Sequence, residues 1–502
     1  MEENVNTRIL KSTTIIGGSS ALNILFRIVQ SKAVAVLLGP QGVGLMGLFN
    51  SVLGLASTLS GMGIATSGVR EIAASMESKD QDVLSRTSLA FRRLSLTLGI
   101  VGALFVFGLR SWISQVTFGD MEHAGSIGWL SLAVFFMVIS TSQTALIRGM
   151  RRIGDLARVS VLGVAIGTLL GIPMMVLWGN QGVVFYILGV AGTTVLVSWW
   201  YTRKIQIKPV SLSFGEIVVA SRELLKLGLA FMGAGLFTMI SLYLIKTLVT
   251  RQLGIHATGL YEAASSLANV YIGFILGAMG ADFFPHLAGV SGDDATSNRL
   301  INSQAQIGTL LALPGILAAL ALGPWLLRLL YSVEFSPAFE IFRWQALGTF
   351  LRLVSWPLGF LVLARARGNL YLLTELISNL VFLGAAWLGL KFWGVTGVGV
   401  AFFGLYIFYT ILMTRIAKSL SGFSWTRGSL QLFIWAMASI AAGFAISFIS
   451  LHLLAFGLGV SLTVLTSLLV LKTLRDLIGS DVLRSYLHRV WQKITPGRFR
   501  HA

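Results

Sequence analysis

"LLGPQGVGL", residues 37–45, and "QLGIHATGL", residues 252–260, are two copies of one frame within a chain of 502 residues. The two outer glycines and the final leucine of the first stretch recur in the second, each 215 positions later. This constant shift is here named the repeat offset. The matched pairs are Gly39 with Gly254, Gly44 with Gly259 and Leu45 with Leu260. Each stretch follows an apolar run that contains one lysine, Lys32 in the first and Lys246 in the second. Glycine accepts backbone conformations that other residues avoid, so each stretch predicts a bend between two apolar helices.

Apolar side chains make up 55% of the chain and charged side chains only 12%, whereas about a quarter of the residues in a soluble domain are charged. Segments of about 20 apolar residues follow one another along the sequence, the length that a transmembrane helix needs. A transmembrane β-barrel would show weak alternation in place of these long runs. The sequence therefore predicts an all-α membrane protein of about 14 transmembrane helices.

The repeat offset extends well beyond the two bends, since it also pairs "WGNQGV" at residues 178–183 with "WGVTGV" at residues 393–398. An even number of spans separates the copies, so both enter the membrane from the same side. We predict two parallel-repeat six-helix lobes around a central cavity, plus two extra C-terminal helices. The predicted boundaries are 1–210 for the N-lobe, 220–420 for the C-lobe, 425–475 for the two additional spans and 476–502 for a basic amphipathic cytoplasmic tail.

The formal net charge of +18 follows the topology of a membrane protein. Of the 38 Lys and Arg residues, 29 flank the predicted spans on one side of the membrane and 4 on the other. This excess marks the cytoplasmic side and predicts that both termini are cytoplasmic. The basic residues do not cluster with aromatic residues on a polar face, so we expect no nucleic-acid partner.

The chain has no cysteine, and its six histidines have no metal-ligand spacing, so we expect no metal and no cofactor. It also lacks the G-x-S-x-G, Walker A and H-E-x-x-H patterns of common hydrolase and nucleotide sites. The long loops that a catalytic domain needs are missing as well. We therefore predict that the protein is not an enzyme.

A charge at the centre of a transmembrane helix costs about 2.5 to 3.5 kcal/mol, so charged residues there are expected to face a wet cavity or a partner. Cations outnumber acids inside the predicted spans, and a cavity with a positive potential selects an anion. Arginine suits a phosphate because its planar fork donates two parallel hydrogen bonds. The five candidate cavity cations are Arg27, Arg352, Lys246, Arg343 and Lys32.

Two of these cations have a simpler interpretation. Arg343 lies three residues after Glu340, a spacing that favours an ion pair within one helix. Lys32 could extend its ammonium to the membrane interface. The sequence alone leaves both interpretations open.

Uncharged and acidic candidates accompany the cations. Asn23 and Gln30 share one face of the first span with Arg27, because they are spaced by four and three residues from it. The two acids of the set are salt-bridge partners or carboxylates that carry a coupling ion, and the first is favoured. The cavity polar or coupling candidates are Asn23, Gln30, Gln143, Glu262, Asn269 and Glu375.

Three stretches resemble a known family: "LLGPQGVGLMGLFNSVLGLASTLSGMGI" at 37–64, "GAMGADFFPHLAGV" at 277–290 and "LLYSVEFSPAFEIFRWQALG" at 329–348. They are similar to the Wzx-type O-antigen and lipid-linked oligosaccharide flippases of the multidrug/oligosaccharidyl-lipid/polysaccharide exporter superfamily. The resemblance implies a two-lobed protein that moves an undecaprenyl-diphosphate-linked oligosaccharide across the bacterial inner membrane by alternating access. It also implies a cationic cavity, in which Arg27 occupies the position expected of a cavity arginine.

The resemblance implies further partners and leaves alternatives. Membrane lipids surround the substrate, and a polysaccharide polymerase and a chain-length regulator are candidate protein partners. A flippase for the peptidoglycan precursor, lipid II, and a drug or cation exporter of the same superfamily are alternative transporters. A membrane scaffold of a glycan assembly complex is an alternative from another class, and it needs no charged cavity.

Overall fold

The structure is a computed structural model that describes residues 5–77, 81–208, 210, 213–449 and 451–478. In this part of the chain there are fourteen α-helices and two short 3-10 turns but no β-strand, which confirms the predicted all-α fold. Most of the predicted amphipathic tail, from residue 479 onwards, lies outside the described residues. The helices are α1 (Val5–Gly61), α2 (Ile64–Glu77), α3 (Gln81–Gly108), α4 (Arg110–Thr117), α5 (Ala124–Gly149), α6 (Ile153–Trp178), α7 (Gly182–Thr202), α8 (Phe214–Gly289), α9 (Asp294–Leu330), α10 (Ala338–Ala364), α11 (Gly368–Trp393), α12 (Thr396–Ser421), α13 (Arg427–Ile446) and α14 (His452–Ile478).

Helical segments long and apolar enough to cross a membrane number eleven among the described residues. Three of them, of 44, 50 and 55 residues, are longer than one crossing requires and each covers two of the spans predicted from the sequence. The predicted count of about 14 crossings therefore stays a prediction. The length and apolar character of the segments make the chain a multi-pass membrane protein.

Helices α1 and α8 each bend at a glycine. Gly39 has φ 62° in α1 and Gly254 has φ 85° in α8, and both values fall in the left-handed region that a residue with a Cβ rarely adopts. The two bends are the two quoted stretches of the sequence, and the repeat offset relates them. The repeated glycine is therefore explained by a repeated backbone conformation.

The two bends also pack against each other. Gly44, which follows the first bend, lies against the backbone carbonyl of Ile255. Gly259, which follows the second bend, lies against the backbone carbonyl of Pro40. Residue 40 corresponds to residue 255 under the repeat offset, so each copy presents the same two positions to the other, as in a two-fold interface. A side chain at either glycine would push the two bends apart.

The repeat offset recurs in the helices that follow. Helix α6 spans Ile153–Trp178 and α11 spans Gly368–Trp393, so both bounds are related by the same shift. Each helix is preceded by a left-handed residue, with φ 55° at residue 151 and φ 54° at residue 366. Each is followed by a glycine with φ 56°, at residues 179 and 394. The duplication seen in the sequence is thus present in the backbone.

Helix α8 begins outside its membrane segment with a capping box. The carboxylate of Glu216 accepts a hydrogen bond of 2.8 Å from the backbone N–H of Ser213 and one of 2.9 Å from its hydroxyl. In return, the backbone N–H of Glu216 donates to the Ser213 hydroxyl at 3.3 Å. These bonds from Ser213, with the nearby charge of Arg86, hold the pKa of Glu216 below its ordinary value.

The chain forms two compact units. Unit 1 comprises residues 1–263, 328–337 and 375–395, and unit 2 comprises residues 264–327, 338–374 and 396–502. In unit 1, one core is built around Phe49, Ile127 and Leu130. In unit 2, a core is built around Phe283 and Leu358. Helix α10 is the most buried of the candidate spans in the described part of the chain, because 72% of its most apolar 18-residue segment is buried.

Candidate functional site

Arg352 is held on α10 by an uncharged partner. Its guanidinium Nη1 donates a hydrogen bond of 2.8 Å to the amide oxygen of Asn269 on α8. Thr349, three residues before Arg352 on α10, is buried. Gln345, a further turn towards the start of the helix, donates a 2.9 Å hydrogen bond to the hydroxyl of Ser265. An amide orients a guanidinium without neutralising it, so Arg352 keeps its charge and its other donors.

Lys246 has the opposite environment. Its ammonium lies 2.5 Å from the carboxylate of Glu262, and the two side chains are only 16% and 21% exposed. The same ammonium donates to the hydroxyl of Ser51 at 2.9 Å and approaches the carbonyl of Gly47 at 3.4 Å. A lysine has three N–H donors, and these partners account for all three. Lys246 is therefore neutralised by Glu262, which has the salt-bridge role that the sequence favoured for it, although the sequence did not identify Lys246 as the partner.

Gly47 makes this ion pair possible. A Cβ at residue 47 would collide with the side chain of Glu262 and displace the carboxylate from its present position beside Lys246. The pair joins the part of α1 that follows the Gly39 bend to both arms of α8. Sequence reasoning missed Gly47 and Ser51, because their contacts with Lys246 join parts of the chain that are far apart in sequence.

Lys32 and Arg343 each bind the carbonyl end of a helix. The Lys32 ammonium donates to the backbone oxygens of Tyr331, at 2.6 Å, and Arg328, at 3.2 Å, where α9 ends. A cation at a helix C-terminus is stabilised by the unpaired carbonyls and by the helix dipole. Lys32 therefore does more than reach towards the membrane interface.

Arg343 has the same kind of contact in unit 2. It is 7% exposed and donates a hydrogen bond of 3.2 Å to the carbonyl of Ser447, which caps the C-terminus of α13. Its guanidinium also lies 3.8 Å from the centre of the Phe448 ring and 3.5 Å from the Glu340 carboxylate. The intrahelical pair with Glu340 is present, together with a cation–π contact that the sequence did not reveal.

Arg27 lies on α1 between the two polar side chains that the sequence placed beside it. Asn23 donates a hydrogen bond of 2.6 Å to the hydroxyl of Ser160, and Gln30 donates a weak one to the sulfur of Met46 at 3.5 Å. Arg27 is exposed and has no hydrogen bond or ion pair with any residue in the described part of the chain. Like Arg352, it therefore has no acidic partner in that part of the chain.

The remaining candidates, Gln143 and Glu375, make contacts within the helical framework. The amide oxygen of Gln143 on α5 accepts a short hydrogen bond from the hydroxyl of Ser198 on α7. Glu375 lies half-buried on α11, and its backbone oxygen accepts a bond of 2.8 Å from Asn379. Among the described residues no three histidine or acidic side chains converge as metal ligands would.

These environments sort the five predicted cations by the charge of their partners. Lys246 is paired with an acid, and Lys32 and Arg343 bind helix carbonyls. Arg352, Arg27 and Lys32 have no acidic partner among the described residues, and of these three only Arg352 and Arg27 make no bond to a helix carbonyl either. Arg352 is oriented by an amide and Arg27 is exposed, and neither guanidinium is neutralised by an acid in the described part of the chain.

Known proteins resemble this chain in sequence and in fold. The lipid III flippase of Escherichia coli (strain K12) is 25% identical over 406 residues, which cover 80% of this chain and 95% of the flippase. The lipopolysaccharide biosynthesis protein WzxC of the same organism is 24% identical, over 81% of this chain and 80% of WzxC. The inward closed structure of the lipid II flippase MurJ superimposes with a TM-score of 0.66 at 12% identity, covering 93% of this chain and all of MurJ.

A family model described as "Polysaccharide biosynthesis protein" matches residues 33–340. The match begins just before the first bend, includes both bends and ends at the start of α10. It therefore covers more than half of the chain and both copies of the frame. The chain belongs to the polysaccharide biosynthesis protein family.

Proposed function

We propose that this chain is a flippase that carries an undecaprenyl-diphosphate-linked oligosaccharide, the repeat unit of an O-antigen or related surface polysaccharide, across the bacterial inner membrane. The relatives named as a lipid III flippase and as WzxC support the class of substrate. The observation that carries the proposal for this chain is the environment of Arg352, a guanidinium on the most buried span whose partner is neutral.

The diphosphate of the substrate is the group that Arg352 binds. A guanidinium left without a counter-ion in an apolar setting is costly, so an anion that supplies the missing charge gains binding free energy. Asn269 fixes the direction of one N–H and leaves the others for phosphate oxygens. Arg27 provides the second positive charge in unit 1.

Lys246 and Glu262 take a different part in this proposal. Their mutual neutralisation removes both from the charge that the substrate meets, so they hold the bends of α1 and α8 together. Drug and cation exporters require cavity acids that stay available to a cation, and Glu262 is already paired. The cation exporter is therefore the weaker candidate.

Transport by alternating access involves no covalent step, and we propose that the protein is not an enzyme. The excess of Lys and Arg on one side of the membrane supports cytoplasmic termini. In this orientation the substrate enters from the cytoplasmic leaflet and leaves at the periplasmic one.

Reconstitution in liposomes tests the proposal. The purified chain should speed the appearance of a fluorescent undecaprenyl-diphosphate disaccharide in the opposite leaflet, whereas a scaffold would leave the rate at that of protein-free vesicles. The double variant Arg27→Gln/Arg352→Gln should lose this activity. Lys391→Gln is the matched control, because it removes an exposed cation that lies over the ring of Trp387 and has no acidic partner among the described residues. Unchanged transport by the double variant would contradict the proposal.

A further inference from the structure

The middle of helix α10, residues 345–362, leaves few side chains accessible. Between residues 345 and 362 every residue is buried except Leu351, Arg352, Trp356 and Phe360. The last three are spaced by four residues and so lie on one face of the helix. Arg352, Trp356 and Phe360, one cation and two aromatic rings on one face of the most buried span among the described residues, are here named the α10 strip.

The position of Trp356 is fixed by its neighbours. Its ring lies against Gly280 of α8, where an added Cβ would come within 3.3 Å of the indole. Phe360 meets Trp356 edge to face with ring centres 4.4 Å apart, and Phe283 lies 6.2 Å away. Edge-to-face contacts stabilise a particular ring orientation. Trp356 is thus a preorganised ring that keeps part of its surface accessible.

The spacing of the α10 strip matches a phosphate followed by a sugar. Four residues of α-helix rise by about 6 Å, so the Cα of Trp356 lies about one sugar ring beyond the Cα of Arg352 along the helix axis. Sugar rings present C–H bonds on their faces, and the electron-rich face of an aromatic ring attracts those positively polarised hydrogens. Binding pockets for small molecules commonly combine aromatic walls with a few polar groups that fix orientation.

An interfacial anchor would look different. Tryptophans of the aromatic belt expose most of the ring to lipid. Trp393 has an exposure of that extent, 61%. Trp356 lies instead against Gly280, Phe283 and Phe360 inside unit 2, in line with Arg352. If Trp356 served packing alone, its ring would have no need to stay partly accessible in line with Arg352, a cation without an acidic partner among the described residues.

We propose that Trp356 and Phe360 form a stacking platform for the sugar nearest the diphosphate, while Arg352 binds the diphosphate itself. This inference rests on the proposed flippase function and adds the residues that recognise the glycan. It makes Trp356 a specificity-determining residue, because a lipid diphosphate without sugar has no ring to stack on the platform.

Two probes separate the platform from the phosphate site. Initial transport rates are measured in liposomes for undecaprenyl diphosphate and for the same lipid bearing a disaccharide, both below saturation. Trp356→Leu should slow the disaccharide lipid by about 2- to 10-fold, the range expected for loss of one aromatic contact. The rate for the sugar-free lipid should stay that of the wild type. Trp356→Phe should retain most of the activity on both probes.

Trp344→Leu is the matched control. Trp344 lies on the same helix and is also partly exposed, but its ring contacts Phe403 and Phe444 and not the α10 strip. It should affect both probes alike or neither. Each variant is checked for a monodisperse profile by size-exclusion chromatography before reconstitution.

The outcomes separate the two proposals. If wild-type protein moves neither probe, the flippase function itself is contradicted. If it moves the disaccharide lipid but Trp356→Leu slows both probes equally, or neither, the platform is contradicted and the flippase function stands. A selective loss for the disaccharide lipid, with Trp344→Leu unselective, supports the platform.

Discussion

Lys246 in unit 1 and Arg352 in unit 2 are both cations on apolar helices, and both are held by a neighbouring helix segment. The partner of Lys246 is the carboxylate of Glu262 at 2.5 Å, and the partner of Arg352 is the amide of Asn269 at 2.8 Å. One pair carries no net charge and the other carries a full positive charge. In the function that we propose, this difference of one acid makes the first pair a structural contact and the second an anion-binding site.

The two pairs also differ in what their removal should do. A neutralised ion pair contributes to stability, and loss of one partner leaves an unpaired charge in a poorly solvated place. A charge held by an amide is costly until an anion arrives, so its loss should affect transport more than folding. Substitutions at each pair can therefore separate transport from stability.

The largest effect is expected from Arg352→Gln. The glutamine can still bond to Asn269 but has no charge for a diphosphate, so the transport rate in liposomes should fall about 30-fold or more. The thermal unfolding midpoint in detergent should change little. A variant that transports normally would show that Arg352 is not the phosphate site.

A smaller loss of transport is expected from Asn269→Asp. This change turns the cation–amide pair of Arg352 into a cation–carboxylate pair like that of Lys246 and Glu262. The new carboxylate would neutralise Arg352, and we expect the rate to fall about 10-fold while the protein stays folded. Asn269→Leu removes the orienting bond but keeps the charge, so it should lose less activity than Asn269→Asp. The reverse order in the same flux assay would mean that orientation matters more than charge.

Glu262→Gln should act on stability. It leaves the Lys246 ammonium without its counter-ion and should lower the free energy of unfolding by about 2 to 3 kcal/mol. The double variant Lys246→Met/Glu262→Gln removes both charges and should recover much of the loss. Thermal denaturation of Glu262→Gln, of Lys246→Met and of the double variant gives the coupling energy, and a coupling near zero would contradict a stabilising pair.

The smallest effect is expected at the contact between the bends. Gly259→Ala places a Cβ against the Pro40 carbonyl and should destabilise the protein by about 1 to 2 kcal/mol, as overpacking does. Gly273→Ala, on the same helix with open space around it, is the matched control. Equal unfolding midpoints for the two variants would argue against close packing of the bends.

The helical fold was predictable because long apolar runs admit few other structures. The bends were predictable for the same kind of reason, since a glycine repeated at a fixed offset reports a backbone requirement that side chains do not mask. The stripe of Asn23 and Gln30 around Arg27 and the favoured pairing of Glu262 also followed from spacing and charge.

The partners of the cations were not predictable. Lys32 binds the carbonyl of Tyr331 at the far end of α9, and Arg343 binds a carbonyl that follows α13. Backbone carbonyls have no signature in a sequence, so a cation that caps a helix looks like one that lines a cavity. The sequence grouped five cations together, and only packing separated Arg27 and Arg352 from the others.

The left-handed residues that precede α6 and α11 have a practical consequence. Residue 151 is an arginine and residue 366 an alanine, yet their φ angles are 55° and 54°. The turn is therefore set by the surrounding chain and tolerates exchange of the side chain. Residues 151–179 and 366–394 have matching bounds and turn angles, so they are suited to chimaeras in which the side chains of one copy replace those of the other on the same backbone.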